Sequence, residues 1–224
     1  MYGRAGNLIV INGLVACGRS GLIKNLEEKF KTYSIPSAHS LAVKTSPEIY
    51  SSKEDFVAKQ QYYVELDKKV ALMASVALRD HKCVIMDCNY VASLAYDYAL
   101  FKENKNMEVF KWIIDAYIDA IESLELVIPD LYVFLDVSNE MRKKRSETLP
   151  YFDESQRHFD EEFSKNAKYI HDEIMKLTNS LVINYEKEIS PERIFAKIEA
   201  CLRNKAYDYS LERKKIVNFL KSLA

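Results

Sequence analysis

The feature that constrains this chain most is a short glycine loop near its N-terminus. The residues Gly13-Leu14-Val15-Ala16-Cys17-Gly18-Arg19-Ser20 follow the frame GxxxxG, then a basic residue, then serine. An apolar run over residues 8–11 precedes this loop, and helical spacing over residues 19–31 follows it. The whole sequence holds only five glycines, so two at this spacing between a strand and a helix indicate a specific loop and not an ordinary turn.

This frame is the one used by phosphate-binding loops, or P-loops. Glycine lets backbone N–H groups wrap an anion, and the helix that begins there adds the positive end of its dipole. We expect the hydroxyl of Ser20 to bind a Mg²⁺ ion that bridges the phosphates of ATP. The residues predicted to hold ATP are Gly13, Cys17, Gly18, Arg19, Ser20 and Gly21.

Arg19 departs from the usual loop, in which lysine holds this position. A lysine ammonium is a compact point charge that follows a transferred phosphoryl group, whereas a guanidinium is planar and wide. The positive charge is kept but its placement changes. Binding of a nucleoside triphosphate is therefore better supported by the sequence than fast transfer of its terminal phosphoryl group.

Apolar runs of strand length alternate with longer segments of helical spacing along the chain. This alternation is typical of an α/β domain with a mostly parallel sheet, here of five strands flanked by helices. The tail 208–224 is amphipathic and either packs back on the domain or meets a partner. The predicted strands are 8–11, 38–43, 83–86, 131–135 and 181–184, and the predicted helices are 54–79, 92–101, 107–126, 138–146, 155–177 and 191–203.

Composition excludes several classes of protein. Hydrophobic residues make up 48% of the 224, which is enough for a sizeable core. The 32 Lys and Arg residues balance 33 Asp and Glu residues, so no overall positive field favours a nucleic acid polymer or an anionic membrane. The four cysteines lack CxxC spacing and no apolar run reaches about 20 residues, so we expect a cytoplasmic protein without structural zinc, disulfides or a membrane span.

Two later motifs, together with the loop, make the sequence resemble the thymidylate kinase and deoxynucleoside kinase group. The start of the chain, residues 3–14, looks like that of a eukaryotic or viral thymidylate kinase. Residues 84–96 are similar to a strand-ending DRYxxSxxAY motif, and residues 129–137 to the PDLxxxLDV strand before a mobile lid. The resemblance covers about residues 7–203. It implies a P-loop kinase domain over 1–207 with a lid at about 142–158, and a C-terminal helix over 208–224.

The resemblance also implies roles for residues after the third predicted strand. Asp87 is expected near the magnesium ion and the acceptor, and Ser93 and Tyr96 are expected to shape the acceptor pocket. Independently of the family, a carboxylate at the carboxyl end of a strand beside the glycine loop lies where ligands bind in parallel sheets. The alternative is that Asp87 only caps the following helix, a position that aspartate favours.

The helix after Glu54 lies where this group of kinases reads the nucleobase. An amide can pair with a base edge, an aromatic ring can stack on it, and a cation can reach a carbonyl or phosphate. The same segment also carries an ordinary core stripe at helical spacing. The candidate substrate contacts are Phe56, Gln60, Gln61 and Lys68, and the core stripe is Tyr62, Leu66, Val70 and Met73.

The basic run Arg142-Lys143-Lys144-Arg145 follows the fourth predicted strand. Arg142 and Arg145 are three residues apart and share a helix face, so the resemblance makes them lid arginines that close over the phosphates. Arg157 is a further, lesser candidate. The alternatives are a solvated helix face and a short nuclear targeting signal.

Some family features are missing. Cys88 stands where the family has arginine, and Val15 and Asn12 replace acidic residues at the loop and the strand end. These changes affect catalysis and the acceptor site more than the fold.

The sequence therefore supports two functions. The first is transfer of the ATP γ-phosphoryl group to a nucleoside monophosphate, with dTMP as the first acceptor, or to a deoxynucleoside. Its candidate catalytic residues are Arg19, Asp87, Arg142 and Arg145, with Ser20 and Asp87 at the magnesium ion. The second is a silenced relative that binds a nucleotide or a protein. The resemblance also implies a homodimer through helices such as 54–79 and 107–126, whose apolar faces equally serve as core.

Overall fold

The computed structural model describes residues 6–42, 53–104, 107–147, 157–186, 189–203 and 208–224, apart from the side chains of residues 53–56, 104 and 107. The strands in these ranges are β1 Asn7–Gly13, β2 Tyr33–Ile35, β3 Cys83–Asp87, β4 Leu131–Asp136 and β5 Ser180–Asn184. The helices are α1 Arg19–Phe30, α2 Ala38–Leu41, α3 Lys53–Ala77, α4 Tyr90–Asn104, α5 Met107–Glu122, α6 Asn139–Ser146, α7 Glu161–Leu177, α8 Pro191–Arg203 and α9 Tyr209–Leu223.

The five strands form one parallel sheet in the order β2-β3-β1-β4-β5, which confirms the predicted α/β fold. Strand β1 lies in the centre, because its run of fully buried residues suits a strand covered on both faces. Ile11 of β1 pairs with Asp87 of β3, and Gly13 pairs with Leu135 of β4. The carboxyl ends of three neighbouring strands therefore meet at the glycine loop.

Two hydrophobic clusters cover the faces of the sheet. Leu8 and Val10 of β1 point into a cluster formed with α3, α4, α5, α7 and α9, while Ile9 and Ile11 pack against α1 and α8. The chain thus leaves β1 toward one face and leaves β3 toward the other. In parallel sheets this change of direction opens a crevice between the strands at their carboxyl ends, where ligands bind.

The second predicted strand, 38–43, is wrong. Residues Ala38–Leu41 form the short helix α2, and the side chain of Ser37 caps it by accepting a hydrogen bond from the N–H of Ser40. The strand lies earlier, at Tyr33–Ile35, and pairs with β3 at the sheet edge. Three residues at an edge are too few to leave an alternating pattern, and Pro36 follows immediately.

Other boundaries differ by a few residues. Helix α7 begins at Glu161 rather than at 155, because the Asp160 side chain accepts a hydrogen bond from the N–H of Phe163 and caps the helix there. Helix α9 packs on α5 and α7 and buries Ile216 and Leu220. Among the described residues, no helix is both long enough and apolar enough to cross a membrane.

Candidate phosphate-binding site

The glycine loop joins the end of β1 to the start of α1 in a tight turn. Ala16 and Gly18 adopt left-handed backbone conformations, with φ angles of 63° and 96°. The N–H of Cys17 donates to the carbonyl oxygen of Leu14 at 3.1 Å. Within the described residues, no side chain caps the N-terminus of α1. Its first N–H groups and its dipole thus offer the site that a phosphate group requires.

Two glycines of the loop are required by close contacts. A Cβ atom on Gly13 would lie 2.6 Å from the Sγ of Cys17 and 3.0 Å from the carbonyl oxygen of Leu135. A Cβ atom on Gly18 would combine a left-handed backbone with a 3.2 Å contact to the Tyr185 ring. At Gly21, by contrast, a Cβ would meet none of the described atoms within 4 Å. The loop is therefore closely packed at its two frame glycines, Gly13 and Gly18, whereas Gly21 in the first turn of α1 faces open space.

Arg19 bridges the loop to the neighbouring strand. Its Nε donates to Oδ1 of Asp87 at 2.9 Å, and its Nη1 donates to the carbonyl oxygen of Gly13. Both members of the ion pair are partly exposed, the arginine side chain by 22% and the aspartate by 18%. In this arrangement the loop cation neutralises Asp87, the residue predicted to act at the acceptor and at the magnesium ion.

Arg142 is a buried anchor beneath the loop. Its Nη1 donates to the carbonyl oxygens of Val15 and His158, at 3.3 and 3.2 Å. Its Nη2 donates to Oδ1 of Asn139 at 2.9 Å and to Oγ of Ser164 at 2.7 Å. Burial lowers the pKa of this guanidinium. Arg142 thus ties α6 to the glycine loop and to α7.

Arg145 contacts the same loop one helical turn later. Its Nη1 donates to the carbonyl oxygen of Cys17 at 2.7 Å, and its Nη2 donates to that of Tyr185 at 2.8 Å. We call Arg19, Arg142 and Arg145 the arginine belt, because they bind the carbonyl oxygens of Gly13, Val15 and Cys17. A peptide group that points its carbonyl outward presents its N–H on the opposite side. The belt therefore positions the loop backbone, and direct contact with phosphate, predicted for all three residues, stays a prediction.

Cys88 follows Asp87 in a left-handed conformation, with φ of 67°. Its N–H donates to the carbonyl oxygen of Ile11 at 3.1 Å, which extends the pairing of β3 with β1 by one residue. Burial raises the pKa of its thiol to about 12, so the sulfur stays protonated near neutral pH. It supplies no charge where the resembling kinases have an arginine.

A buried polar cluster lies between α3, α4 and α5, next to the strand end. The side chain of Gln60 is hydrogen-bonded to the carboxylate of Asp97. The Tyr117 hydroxyl donates to Oδ2 of Asp67 at 2.8 Å, and Ser93 is bonded to the same carboxylate. We call these five residues the polar cluster. The charge on Asp67 also acts on the Cys88 thiol, which places the cluster near the end of β3.

Burial perturbs both carboxyl groups of the polar cluster. It raises the pKa of Asp67 to about 7. It also raises the pKa of Asp97 to about 8, and the neighbouring Asp67 adds to that shift. Buried carboxyl groups with strongly perturbed pKa values are more frequent at functional sites than elsewhere. Near neutral pH the cluster therefore holds at least one proton that it can donate in a hydrogen bond.

Sequence reasoning identified Gln60 and Ser93 but missed Asp67, Asp97 and Tyr117. A signal for Asp67 is present, since it follows Gln60 by seven residues and so shares its helix face. The sequence also predicted no role for Asp136, which is the last residue of β4. Asp136 directly follows Leu135, which pairs with Gly13 in the sheet. Its carboxylate lies 3.8 Å from the Nζ of Lys168.

The structure separates the other candidate substrate residues from this cluster. Gln61 is exposed, and Lys68 forms ion pairs with Glu65 and Glu125. Lys68 directly follows Asp67 in α3, but its ammonium group is paired with these two exposed carboxylates and not with the cluster. The side chain of Phe56 lies outside the described residues, as do residues 148–156 of the predicted lid.

Tyr96 and Arg157 lie together at the edge of α4. The Tyr96 ring packs against His158 and Phe163, and its hydroxyl is hydrogen-bonded to Arg157. Arg157 also lies 3.5 Å from a carboxylate oxygen of Glu103. Ser20 is exposed in the first turn of α1, open to a magnesium ion. Within the described part of the chain, no three His, Cys, Asp or Glu side chains are grouped so that they could hold a metal ion.

A parallel sheet whose central strand leads through a glycine loop into a helix defines a P-loop protein with a nucleoside-kinase-like fold. Solved structures of deoxyadenosine kinase from M. mycoides are similar to it. The one with bound dATP matches with a TM-score of 0.65 at 18% identity, over 86% of this chain and 99% of that chain. The dCTP complex has a TM-score of 0.62 at 16% identity, over 86% and 99%. At these identities the likeness establishes the fold.

The family follows from the sequence. The model of the family described as "Chromatin associated protein KTI12" matches residues 7–193. The chain therefore belongs to the KTI12 family. No curated protein sequence matches the chain. The predicted P-loop kinase fold is confirmed, and the more specific resemblance to thymidylate kinase stays a prediction.

Proposed function

We propose that this protein binds ATP with Mg²⁺ on the glycine loop and transfers the γ-phosphoryl group to a nucleoside or nucleoside monophosphate. The observation that carries this proposal is the polar cluster beside Asp87. Its amide and carboxyl groups are buried in a largely apolar interior, close to the crevice that the P-loop opens. A nucleoside is a ligand of matching chemistry, because its base edge carries both donors and acceptors.

The donor site is built from the loop and the first turn of α1. The backbone N–H groups from Gly18 to Gly21 bind the phosphates, and the helix dipole favours their negative charge. The exposed hydroxyl of Ser20 supplies an oxygen ligand for the magnesium ion. When bound, Mg²⁺ with ATP supplies the transferable phosphoryl group and neutralises part of its charge. The arginine belt binds carbonyl oxygens on one side of the loop, so that the N–H groups of the same peptides point to the opposite side.

In the proposed acceptor site, some side chains bind the nucleobase and Asp87 acts on the attacking group. Gln60 and the protonated Asp97 offer a hydrogen-bond donor and an acceptor to a base edge. Tyr96, whose ring packs against Phe163 of α7, borders the acceptor site on that side. Asp87, once released from Arg19, would accept the proton of the attacking hydroxyl or would supply a carboxylate oxygen to the magnesium ion. We propose dTMP as the first acceptor to test. The similar structures contain dATP, dCTP and dCMP, so deoxynucleosides and dCMP form the second panel.

A second candidate function is nucleotide binding without transfer. The Arg19 to Asp87 ion pair favours it, because the pair occupies both the loop cation and the strand-end acid. Losses of charge stabilisation at a reacting centre cost roughly 3 kcal/mol each. In this second function the bound nucleotide stabilises the fold, and the folded protein then binds a partner.

Calorimetric titration with ATP and ADP, with and without Mg²⁺, is the first experiment. It is followed by turnover assays with the acceptor panels, for the wild type and for Asp87→Asn and Asp115→Asn. Saturable Mg²⁺-dependent binding with turnover that Asp87→Asn removes supports the kinase. Binding without turnover for any acceptor supports the second candidate. No saturable binding at millimolar nucleotide rejects both, and Asp115, exposed on α5, is the matched control.

A further inference from the structure

One face of helix α7 is tied to the glycine loop. Ser164 on this face accepts a hydrogen bond from Arg142, and the same guanidinium donates to the carbonyl oxygen of Val15 in the loop. Lys168 and His171 follow Ser164 by four and seven residues, so the three side chains share one face of the helix. This face of α7 therefore lies toward the carboxyl end of the sheet, where the loop begins.

The ammonium group of Lys168 lies at the end of β4. Its Nζ is 5.3 Å from the centre of the Phe134 ring and 3.8 Å from Oδ1 of Asp136, the last residue of the strand. Leu135, between these two residues, pairs with Gly13, the first glycine of the loop. The charge of Lys168 is therefore placed beside the strand that adjoins the glycine loop.

The imidazole of His171 is influenced by both Lys168 and Arg19. Its ring packs on that of Phe134, with the ring centres 5.0 Å apart. Burial lowers the pKa of His171 to about 3, and the positive charges of Arg19 and Lys168 add to this shift. Two cations from different elements thus act on one buried side chain. This common neighbour brings Lys168 into the surroundings of the loop cation.

Arg19 is already engaged by the protein. Its guanidinium donates to Asp87 and to the carbonyl oxygen of Gly13, on the strands that flank the crevice. The lysine usually found at this position supplies a compact ammonium group to the terminal phosphates of the nucleotide. The loop of this chain therefore lacks that group, although it keeps a positive charge.

Lys168 carries the same kind of group and is weakly held. Its Nζ lies 2.9 Å from a carboxylate oxygen of Asp172 on its own helix, and the Lys168 side chain is 36% exposed. Ion pairs open to solvent contribute little to stability, so a phosphate group with several negative charges can compete for the ammonium. The flexible four-carbon stem lets the ammonium turn from Asp172 and Asp136 toward the loop.

We propose that Lys168 binds the terminal phosphates of ATP and so replaces the lysine that the glycine loop lacks. This inference rests on the proposed function, because it requires ATP on the loop. The two cations then have separate tasks. Arg19 holds the loop to the end of β3, and Lys168 neutralises phosphate charge from α7.

Calorimetric titration of the full chain with ATP and Mg²⁺ tests this role. We expect Lys168→Gln to lower ATP affinity at least about 10-fold, because a charge-assisted contact is lost. Lys165→Gln, at an exposed lysine of the same helix, is the control and is expected to stay within about twofold of the wild type. Asp172→Asn is expected to keep or raise ATP affinity, because it removes a carboxylate that competes for the ammonium.

The Arg19→Lys background separates phosphate binding from a structural role of Lys168. With a lysine in the loop, we expect Lys168→Gln to lower ATP affinity by less than about threefold, because the two ammonium groups then serve the same phosphates. A structural role would cost the same affinity in both backgrounds.

Three results would overturn this inference and leave the proposed function standing. They are wild-type ATP affinity in Lys168→Gln, equal losses in both backgrounds, and a loss in Asp172→Asn as large as that in Lys168→Gln. A wild type that binds no ATP rejects the proposed function and this inference with it.

Discussion

The Nε of Arg19 lies 2.9 Å from Oδ1 of Asp87, although 68 residues separate the two in the chain. The contact joins the first residue of α1 to the last residue of β3, across the crevice between β1 and β3. Because both side chains are partly exposed, solvent screens the pair and a bound nucleotide can compete for either partner. Breaking this ion pair is therefore expected to change phosphoryl transfer separately from nucleotide binding.

Replacing Arg19 by lysine tests this separation. We expect Arg19→Lys to keep ATP affinity within about threefold and to raise the rate of phosphoryl transfer at least about 10-fold. The reason is that a compact ammonium releases Asp87 and follows the moving phosphoryl group. Calorimetry and a coupled ADP-release assay measure the two quantities, with Arg193→Lys on α8 as the control. A rate that stays at or below that of the wild type contradicts the prediction.

Alanine is expected to have opposite effects at Gly13, which is closely packed, and at Gly21, which faces open space. Gly13→Ala is expected to weaken ATP binding at least about 10-fold, because its Cβ would lie 2.6 Å from Cys17 Sγ. Gly21→Ala is expected to raise the free energy of unfolding by about 0.5–1 kcal/mol, because alanine favours a helix and meets open space there. Titration with ATP and denaturation by urea measure these effects. Equal loss of binding in both variants would show that the loop tolerates no Cβ at either position.

Arg142 is expected to stabilise the fold. Arg142→Met removes four hydrogen bonds, although the carbonyl oxygen of His158 still accepts one from the Ser164 hydroxyl. We expect the free energy of unfolding to fall by about 3 kcal/mol. The neighbouring Lys143 is exposed, and Lys143→Met is expected to change it by less than about 0.5 kcal/mol. Urea denaturation measures both. A variant at Arg142 that keeps wild-type stability but loses turnover would instead favour the predicted phosphate contact.

The polar cluster makes stability depend on pH. Burial raises the pKa of Asp97 to about 8, above the value of about 3.9 in an unfolded chain, so the folded state binds the extra proton between these values. The free energy of unfolding therefore falls as pH rises through this window. His158 and His171, whose pKa values burial lowers to about 4 and about 3, are neutral in the folded state throughout pH 6.5–8.

Asp97→Asn removes this titration while keeping a group that bonds to Gln60. Between pH 6.5 and 8 we expect the wild type to lose at least about 1 kcal/mol more stability than the variant. Chemical denaturation at several pH values measures the difference, and the exposed Asp115→Asn is the control. Parallel pH profiles for the wild type and Asp97→Asn would show that Asp97 is ionised at neutral pH in the folded protein.

The sequence by itself determined the glycine loop, four of the five strands and the position of Asp87 at a strand end. These features depend on residues close together in the chain, where spacing and hydrophobic periodicity are directly visible. Strand β2 was not predicted, because a strand of three residues at a sheet edge leaves no periodic pattern in the sequence. The sequence also showed that Arg19 departs from the usual lysine.

Only the tertiary structure decided which groups these residues meet. The bond from Arg19 to Asp87, the arginine belt on the loop carbonyls and the proximity of Asp67 to Asp97 each join segments that are distant in the chain. The pKa of a carboxyl group depends on its burial and on its neighbours, and neither is encoded in local spacing. The physical reason is that side-chain partners are set by how helices cross the sheet, whereas motifs specify only which residues reach its edge.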